Sequence, residues 1–191
     1  AKDLDLRVSH RLDYAFGTDR AGKPKKIPHI YQTAGWNDLI AAVRSAGAGN
    51  VVLVGSLVYS GDNTRWLQQV PDDRKPPKGF KGSWTPQLAA SWHVYPKWGT
   101  EPGDAKYLTL NNKGSLEKAQ EIVTAGYPVV ITEFGDHNDQ APFVTHWLPK
   151  FHAAGLSYLA WAWSPPTKIH PKGRQYQLTQ DGRGTPTPGF G

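Results

Sequence analysis

The sequence contains no cysteine among its 191 residues. This absence excludes disulfide bonds, zinc sites built on thiolates and a cysteine nucleophile. It also removes cysteine usage as an indicator of the redox compartment. We expect neither a metal nor a cofactor to take part in the chemistry of this chain.

Long apolar runs are lacking as well. No run approaches the 18 or more residues that a membrane-spanning helix needs. The first ten residues, AKDLDLRVSH, have neither the basic region nor the apolar stretch of a signal peptide. We therefore expect a soluble chain with no membrane partner, from which any export signal has been removed or was never present.

The excess of positive charge is modest and scattered. The chain has 22 basic and 16 acidic residues, a net charge of +6. Dense clusters occur only in GKPKKIP (22–28) and DDRKPPKGFKG (72–82), where prolines and glycines indicate solvated loops. No nucleic-acid-binding motif or interleaved aromatic platform accompanies these lysines, so nucleic acid is an unfavoured partner.

Strand-like and helix-like segments alternate from residue 36 onward. Four apolar segments occupy residues 51–57, 88–96, 128–134 and 156–163. Stretches with apolar residues at three- and four-residue steps occupy residues 36–47, 115–126 and 141–155, each followed or ended by a glycine suited to a helix C-cap. Ser115 and Asn37 are candidate N-caps.

Such alternation predicts an α/β fold of parallel βα units, with helices covering a sheet whose strands are buried on both faces. The number of units predicts a partial (β/α)8 barrel of the TIM type, about half of it, in a single domain over residues 1–191. Residues 1–35 match this pattern poorly, although LDLRV (4–8) and LDYAF (12–16) are each possible strands. Residues 164–191 form a loop-rich tail.

Ligands of parallel α/β folds bind beyond the carboxyl ends of the strands, so residues at those ends are candidates for chemistry. In PVVITEFGDH (128–137) a buried-looking strand ends on Glu133. The other segments place an imidazole, phenols, indoles and a second carboxylate at equivalent positions. These residues are His93, Tyr95, Trp161, Trp163, Tyr59 and Asp62.

This combination suits sugar hydrolysis with retention of configuration. That reaction needs a carboxylate that attacks the anomeric carbon, hydrogen-bond donors that hold it, and flat aromatic surfaces beneath the pyranose rings. Glu133 is the candidate nucleophile, His93 and Tyr95 are its positioning partners, and Trp161 is the platform. Tyr59, Asp62 and Trp163 are further candidates for substrate binding.

Each of these residues also has a purely structural reading. Glu133 could cap a loop, and the polar ends of His93 and Tyr95 could simply satisfy the edge of the sheet. One of Trp161 and Trp163 could lie in the core. Residues 136–139 carry metal-ligand side chains but suit a solvated loop better, and His146 and His152 are read as surface residues.

From about Gly35 to its end, the chain resembles the carboxyl-terminal half of the glycoside hydrolase family 5 cellulases. The resemblance rests on GWNDLIAAVRSAGAGNVVLVGSLVYSGD, ASWHVYP, PVVITEFGD, LAWAWS and QDGRGTPTPGFG. It implies a (β/α)8 barrel, cleavage of β-1,4-glucans with retention, and a secreted place of action in polysaccharide degradation. It also implies Glu133 as nucleophile, His93 and Tyr95 as hydrogen-bonding residues after the sixth strand, and Trp161 as the stacking residue after the eighth.

The sequence departs from the family at the acid/base position. The family has an Asn-Glu-Pro triplet after its fourth strand, and this sequence contains none. If LDYAF corresponds to that strand, Gly17, Thr18 and Asp19 occupy the place of the triplet, and Asp19 is the candidate for the acid/base residue. An open half-barrel also favours a homodimer or a partner fragment that completes it. The alternative function is a non-catalytic carbohydrate-binding or structural module.

Overall fold

The computed structural model describes residues 5–18, 21, 23–97, 99–111, 113–136, 141–163, 178–179, 181 and 183–186. Its strands are β1 His10–Thr18, β2 Pro24–Thr33, β3 Val52–Val54, β4 Leu88–Val94, β5 Val129–Phe134 and β6 Ser157–Ala160. Its α-helices are α1 Trp36–Ser45, α2 Leu116–Thr124 and α3 Pro142–Ala153, and a short 3₁₀ helix spans Trp66–Gln69. None of the described helices is both long and apolar enough to cross a membrane.

The chain divides into two compact units. The first, unit 1, comprises Ala1–Val52 and Gln68–Gln87, and the second, unit 2, comprises Leu53–Leu67 and Leu88–Gly191. This division does not test the prediction that residues 1–191 form a single domain, which stays a prediction.

The predicted α/β class of parallel βα units is confirmed. Strands β3, β4, β5 and β6 form a four-stranded sheet in that order, and β5 is parallel to both β4 and β6. Sequential parallel strands separated by helices are the arrangement of part of a (β/α)8 barrel. The four strands lie within the segments predicted to be strands, and the three helices within those predicted to be helices.

Burial on both faces holds for β4, is partial in β5, where three of six positions are half-buried, and is wrong for the edge strands. Six of the seven positions of β4 are buried, whereas all four positions of β6 are exposed. In β3 only Val54 is buried, and Leu53 is 42% exposed. The reason is position, because β3 and β6 have one described neighbour each and β4 and β5 have two.

Of the two predicted N-caps, one is confirmed and one is wrong. Ser115 caps α2 as predicted, its Oγ accepting a hydrogen bond of 3.2 Å from Lys118 N. Asn37 was the wrong N-cap for α1. Gly35 is the N-cap in an extended conformation, so Asn37 lies inside the first turn, where its Oδ1 accepts a 2.9 Å hydrogen bond from Asp72 N.

The amino-terminal strands differ from the prediction. LDYAF does lie in a strand, β1, but this strand pairs antiparallel with β2 in a separate two-stranded sheet. Residues 6–8 of LDLRV form a turn and a bend rather than a strand. A parallel pair requires a crossover of about a dozen residues, and the connection between β1 and β2 is too short to supply one. LDYAF is therefore not a parallel barrel strand of this sheet.

The core of unit 2 lies between the sheet and helices α2 and α3. Trp92 on β4 is 1% exposed and meets Phe151 of α3 edge-on, with ring centres 6.0 Å apart. Gly114 is required beside it, since a Cβ there would lie 2.6 Å from Trp92 Nε1 and 2.3 Å from Gly61 O. This packing leaves the opposite side of β4, which carries His93, free to form a site.

Candidate active site

Strands β4 and β5 bring the predicted imidazole and carboxylate together. His93 and Glu133 are register partners in the parallel pair, directly after an irregularity between Trp92 and His93. Tyr95 follows two residues after His93, and an alternating strand directs side chains two apart to one face. Three of the predicted residues therefore meet at the carboxyl ends of neighbouring strands.

A phenol and an imidazole converge on one oxygen of Glu133. The hydroxyl of Tyr95 donates to Glu133 Oε2 at 3.0 Å, and His93 Nδ1 lies 3.3 Å from the same atom. The side chains of His93 and Glu133 are 21% and 27% exposed, so the group is fixed by its neighbours yet open to a ligand. The arrangement can hold an ionised carboxylate in one orientation.

The charge state of His93 depends on two opposing influences. Burial lowers the pKa of His93 below its ordinary value of 6.5, and the negative charge of Glu133 partly offsets this effect. The unfolded chain therefore binds a proton at His93 more readily than the folded chain does. The contribution of His93 to stability is complete above about pH 6.5 and decreases as the pH falls toward the lower folded pKa.

Glu133→Gln is expected to lower the pKa of His93 further, because the substitution removes the charge that raises it and keeps the shape of the side chain. The shift can be followed by NMR titration of the ring Cε1–H signal, assigned by its loss in His93→Asn. The exposed Glu121→Gln is the matched control and should leave the titration unchanged. An unchanged or raised pKa in Glu133→Gln would contradict this electrostatic picture.

The two predicted tryptophans lie beyond the end of β6 and are exposed. Trp161 N donates to Phe134 O at 2.8 Å, which holds Trp161 beside the residue that follows Glu133. Trp161 and Trp163 are 49% and 75% exposed, so the reading of either one as a core residue is wrong. The peptide bond between Trp161 and Ala162 is cis. Trp163 lies against Gly184, where a Cβ would approach Trp163 Cζ2 to 3.2 Å.

Tyr59 and Asp62 lie in a tight turn after β3. Val58, Tyr59 and Ser60 have φ angles of 56°, 52° and 60°, and Ser60 O accepts a 3.0 Å hydrogen bond from His93 N. This turn presents Tyr59, 84% exposed, near the carboxyl end of β4. Asp62 serves the turn itself, since its Oδ1 accepts from the amide and the hydroxyl of Thr64.

The remaining candidates lie elsewhere. Asp19 falls outside the described residues, as do His137, Asn138 and Asp139. His146 and His152 are exposed on α3, as predicted. Among the described residues, no three His, Asp or Glu side chains form a cluster that could hold a metal ion.

Sequence reasoning missed the role of Asp136, three residues after Glu133. Its carboxylate is buried, with 1% of the residue exposed, and accepts hydrogen bonds from the Tyr107 hydroxyl and, at 2.7 Å, from Phe143 N in the first turn of α3. Tyr107 belongs to the segment that leaves the sheet after Tyr95 and returns to it, where Asn111 N donates to Tyr95 O at 3.0 Å. Asp136 thus links the segments that follow Tyr95 and Glu133. The signal in the sequence that could have identified this role is an acidic residue shortly before a predicted helix.

Asp136→Ala is expected to lower the free energy of unfolding by about 1 to 3 kcal/mol, because it leaves the buried donors of Tyr107 and Phe143 unsatisfied. Tyr107→Phe removes one of these two donors to Asp136 and keeps the other, so its cost should be smaller. Urea denaturation followed by circular dichroism measures both changes. The exposed Asp104→Ala is the control, and an equal effect of this substitution would contradict the assigned role of Asp136.

Comparison with known proteins places these observations in a family. The model of the family described as Cellulase (glycosyl hydrolase family 5) matches residues 28–166, which confirms the resemblance inferred from the motifs. A comparison with curated proteins gave no match.

Several solved structures are similar at low identity. An endo-β-1,4-glucanase from Xanthomonas axonopodis pv. citri, in a triple-mutant form, shares 18% identity over 80% of this chain and 50% of its own, with a TM-score of 0.47. XacCel5A shares 19% identity over 80% of this chain and 49% of its own, with a TM-score of 0.49. XacCel5A in complex with cellopentaose shares 16% identity over 80% of this chain and 50% of its own, with a TM-score of 0.46. The chain spans about half the length of these structures.

Proposed function

We propose that this chain, which belongs to glycosyl hydrolase family 5, carries the nucleophile of a retaining glycosidase that hydrolyses β-1,4-linked glucans. The observation that supports this proposal is the convergence of Tyr95 and His93 on Oε2 of Glu133 at the carboxyl ends of β4 and β5. A carboxylate held by two neighbours and open to solvent suits attack on a sugar ring.

In the first step Glu133 attacks the anomeric carbon, the glycosidic bond breaks, and a second carboxylic acid protonates the departing oxygen. In the second step the same acid, now a carboxylate, takes a proton from water, which displaces Glu133 and releases the sugar with its configuration retained. Tyr95 and His93 keep the carboxylate of Glu133 in place, and Trp161, with Trp163 beyond it, offers a surface for the pyranose rings.

The reaction needs a second carboxylic acid, and this sequence has no Asn-Glu-Pro triplet to supply it. We propose that it comes from a partner chain, because LDYAF, the strand that Asp19 would follow, is antiparallel to β2 and is not a strand of the parallel sheet. A second copy or a partner fragment that completes the barrel can supply the acid. The substrate class is a β-linked oligo- or polysaccharide, and the place of action is extracellular.

The test is hydrolysis of an aryl β-cellobioside by the full chain over a range of protein concentrations, with the anomeric product identified by NMR. Retention of configuration is expected. Specific activity that rises with protein concentration points to an acid from a second chain, and constant activity points to one from the same chain. Inversion of configuration would contradict the nucleophilic role of Glu133.

The exposure of both Trp161 and Trp163 also supports a second candidate, a non-catalytic carbohydrate-binding module that kept its aromatic surface without the acid. This candidate predicts that cello-oligosaccharides quench tryptophan fluorescence while no reducing sugar is released. Quenching accompanied by hydrolysis favours the glycosidase, and the absence of quenching removes the binding module.

A further inference from the structure

A cavity of about 370 Å³ lies in unit 1, between helix α1 and the loop that follows residue 71. This volume is within the range of small-molecule pockets, roughly 300 to 1,000 Å³. The cavity is distinct from the residues around Glu133, since its lining comes from residues 37–45 and 72–78. It therefore needs an explanation of its own.

The walls of the cavity contain an ion pair that is already fully satisfied. Arg44 and Asp73 have side chains 3% and 0% exposed and pair at 2.8 Å. Each of the five N–H groups of the Arg44 side chain donates to Asp73 or to a backbone carbonyl. Arg44 thus shapes the cavity as a neutral pair and has no donor left for a ligand.

The rim of the cavity has uncompensated positive charge. Asp72 is paired with Arg74 at 2.7 Å, and this neighbour holds the pKa of Asp72 well below its usual range. Lys75 and Lys78 are exposed, and their side chains form no hydrogen bond or ion pair within the described residues. With Asp72 balanced by Arg74, the two lysines leave a charge of about +2 at the opening, which favours an anion.

Part of the lining of the cavity, its floor, is apolar. It consists of Ala41 and Pro76, which are exposed, and of Ile40, which is 1% exposed. Hydroxyl-binding groups stand beside it, namely Ser45 and the amide of Asn37, whose oxygen is taken by Asp72 N. A ligand with an apolar ring face, several hydroxyls and one negative charge satisfies all three parts of the cavity.

We propose that this cavity binds an acidic sugar, a hexuronate residue, with its carboxylate at Lys75 and Lys78 and its ring against Ala41 and Pro76. Lysines pair with phosphate as well as with carboxylate, so the apolar residues and the hydroxyl-binding groups of the lining are what favour an acidic sugar over a free phosphate ion. The proposal does not depend on activity at Glu133.

The distribution of charge between the units supports an anionic glycan as the source of this residue. Unit 1 contains twelve lysines and arginines against seven aspartates and glutamates, which is +5 of the net charge of +6. A surface with this excess attracts a polymer that carries many carboxylates. The cavity would then hold one ring of that polymer.

The test is isothermal titration of the full chain with trigalacturonate, with cellotriose as the neutral probe of equal length and inorganic phosphate as the ring-free anion. Saturable binding of trigalacturonate is expected. Lys75→Ala/Lys78→Ala should weaken it at least about tenfold, as loss of charge-assisted hydrogen bonds predicts. Ala41→Phe, which fills the floor without changing the charge, should also weaken it. Thermal unfolding scans check that each variant remains folded.

Lys81→Ala/Lys106→Ala makes the same charge change outside the cavity and should alter binding by less than twofold. Equal weakening by both double variants would replace the cavity with a diffuse charged surface. Equal binding of cellotriose or phosphate would overturn the acidic-sugar assignment. The proposal also fails if trigalacturonate does not bind, or if single-stranded DNA binds more tightly with a steep dependence on salt.

Discussion

Glu133→Gln is expected to reduce the hydrolysis of an aryl β-cellobioside by roughly 10⁴-fold, since the amide cannot attack the anomeric carbon. The amide keeps the size of the carboxylate and can still accept a hydrogen bond from Tyr95, so the fold should persist. The measurement is the initial rate of aryl release, with circular dichroism as the check on folding.

Two further variants sharpen this result. Glu121→Gln, on the exposed surface of α2, should retain full activity. Glu133→Ala in sodium azide should recover part of the rate, because azide can attack from the space that the carboxylate vacates and yields a glycosyl azide. Unchanged turnover in Glu133→Gln would remove Glu133 as the nucleophile. Quenching of tryptophan fluorescence by cello-oligosaccharides should survive in both Glu133 variants if Trp161 carries binding.

Arg44→Met is expected to lower the free energy of unfolding by about 3 to 5 kcal/mol, because it leaves the carboxylate of Asp73 buried without its charged partner. The same substitution leaves the carbonyls of Ala48 and Asn50 without their donor. Urea denaturation at pH 7 measures the loss. Arg44→Lys should be destabilising as well, since a point charge cannot replace five donors in a planar fork.

Arg74→Met is the matched control for Arg44→Met. Its partner Asp72 lies in the same loop, but the side chains of this pair are 84% and 43% exposed. Water therefore screens the charges and replaces the lost contact, and little change in stability is expected. A loss in Arg74→Met as large as that in Arg44→Met would show that burial does not determine the importance of these pairs.

The middle of the sheet was predictable from local sequence. Runs of apolar and β-branched residues give β4 and β5, and three- and four-residue spacing gives α1, α2 and α3, because both periods are properties of the backbone alone. The glycines after the helices were equally readable, since Gly47, Gly126 and Gly155 have positive φ angles that side chains disfavour.

The amino-terminal hairpin was not predictable in the same way. β2 contains Pro24 and Pro28, and three lysines lie in it or directly before it, so its composition resembles that of a loop. Its pairing with β1 satisfies the hydrogen-bonding groups of its backbone. Such pairing is a contact between two segments, and the residue pattern of a single segment does not reveal it. Register likewise decides that His93 lies opposite Glu133.

The sequence by itself determined the α/β class, the family and the residues that end the strands, because these depend on short motifs and on spacing along one segment. Only the tertiary structure decided that Tyr95 and His93 meet at one oxygen of Glu133, that both tryptophans are exposed, and that Asp136 joins two segments. It also decided that Arg44 is a buried anchor beside a basic cavity. The physical reason is that burial and hydrogen bonding depend on which distant segments pack together.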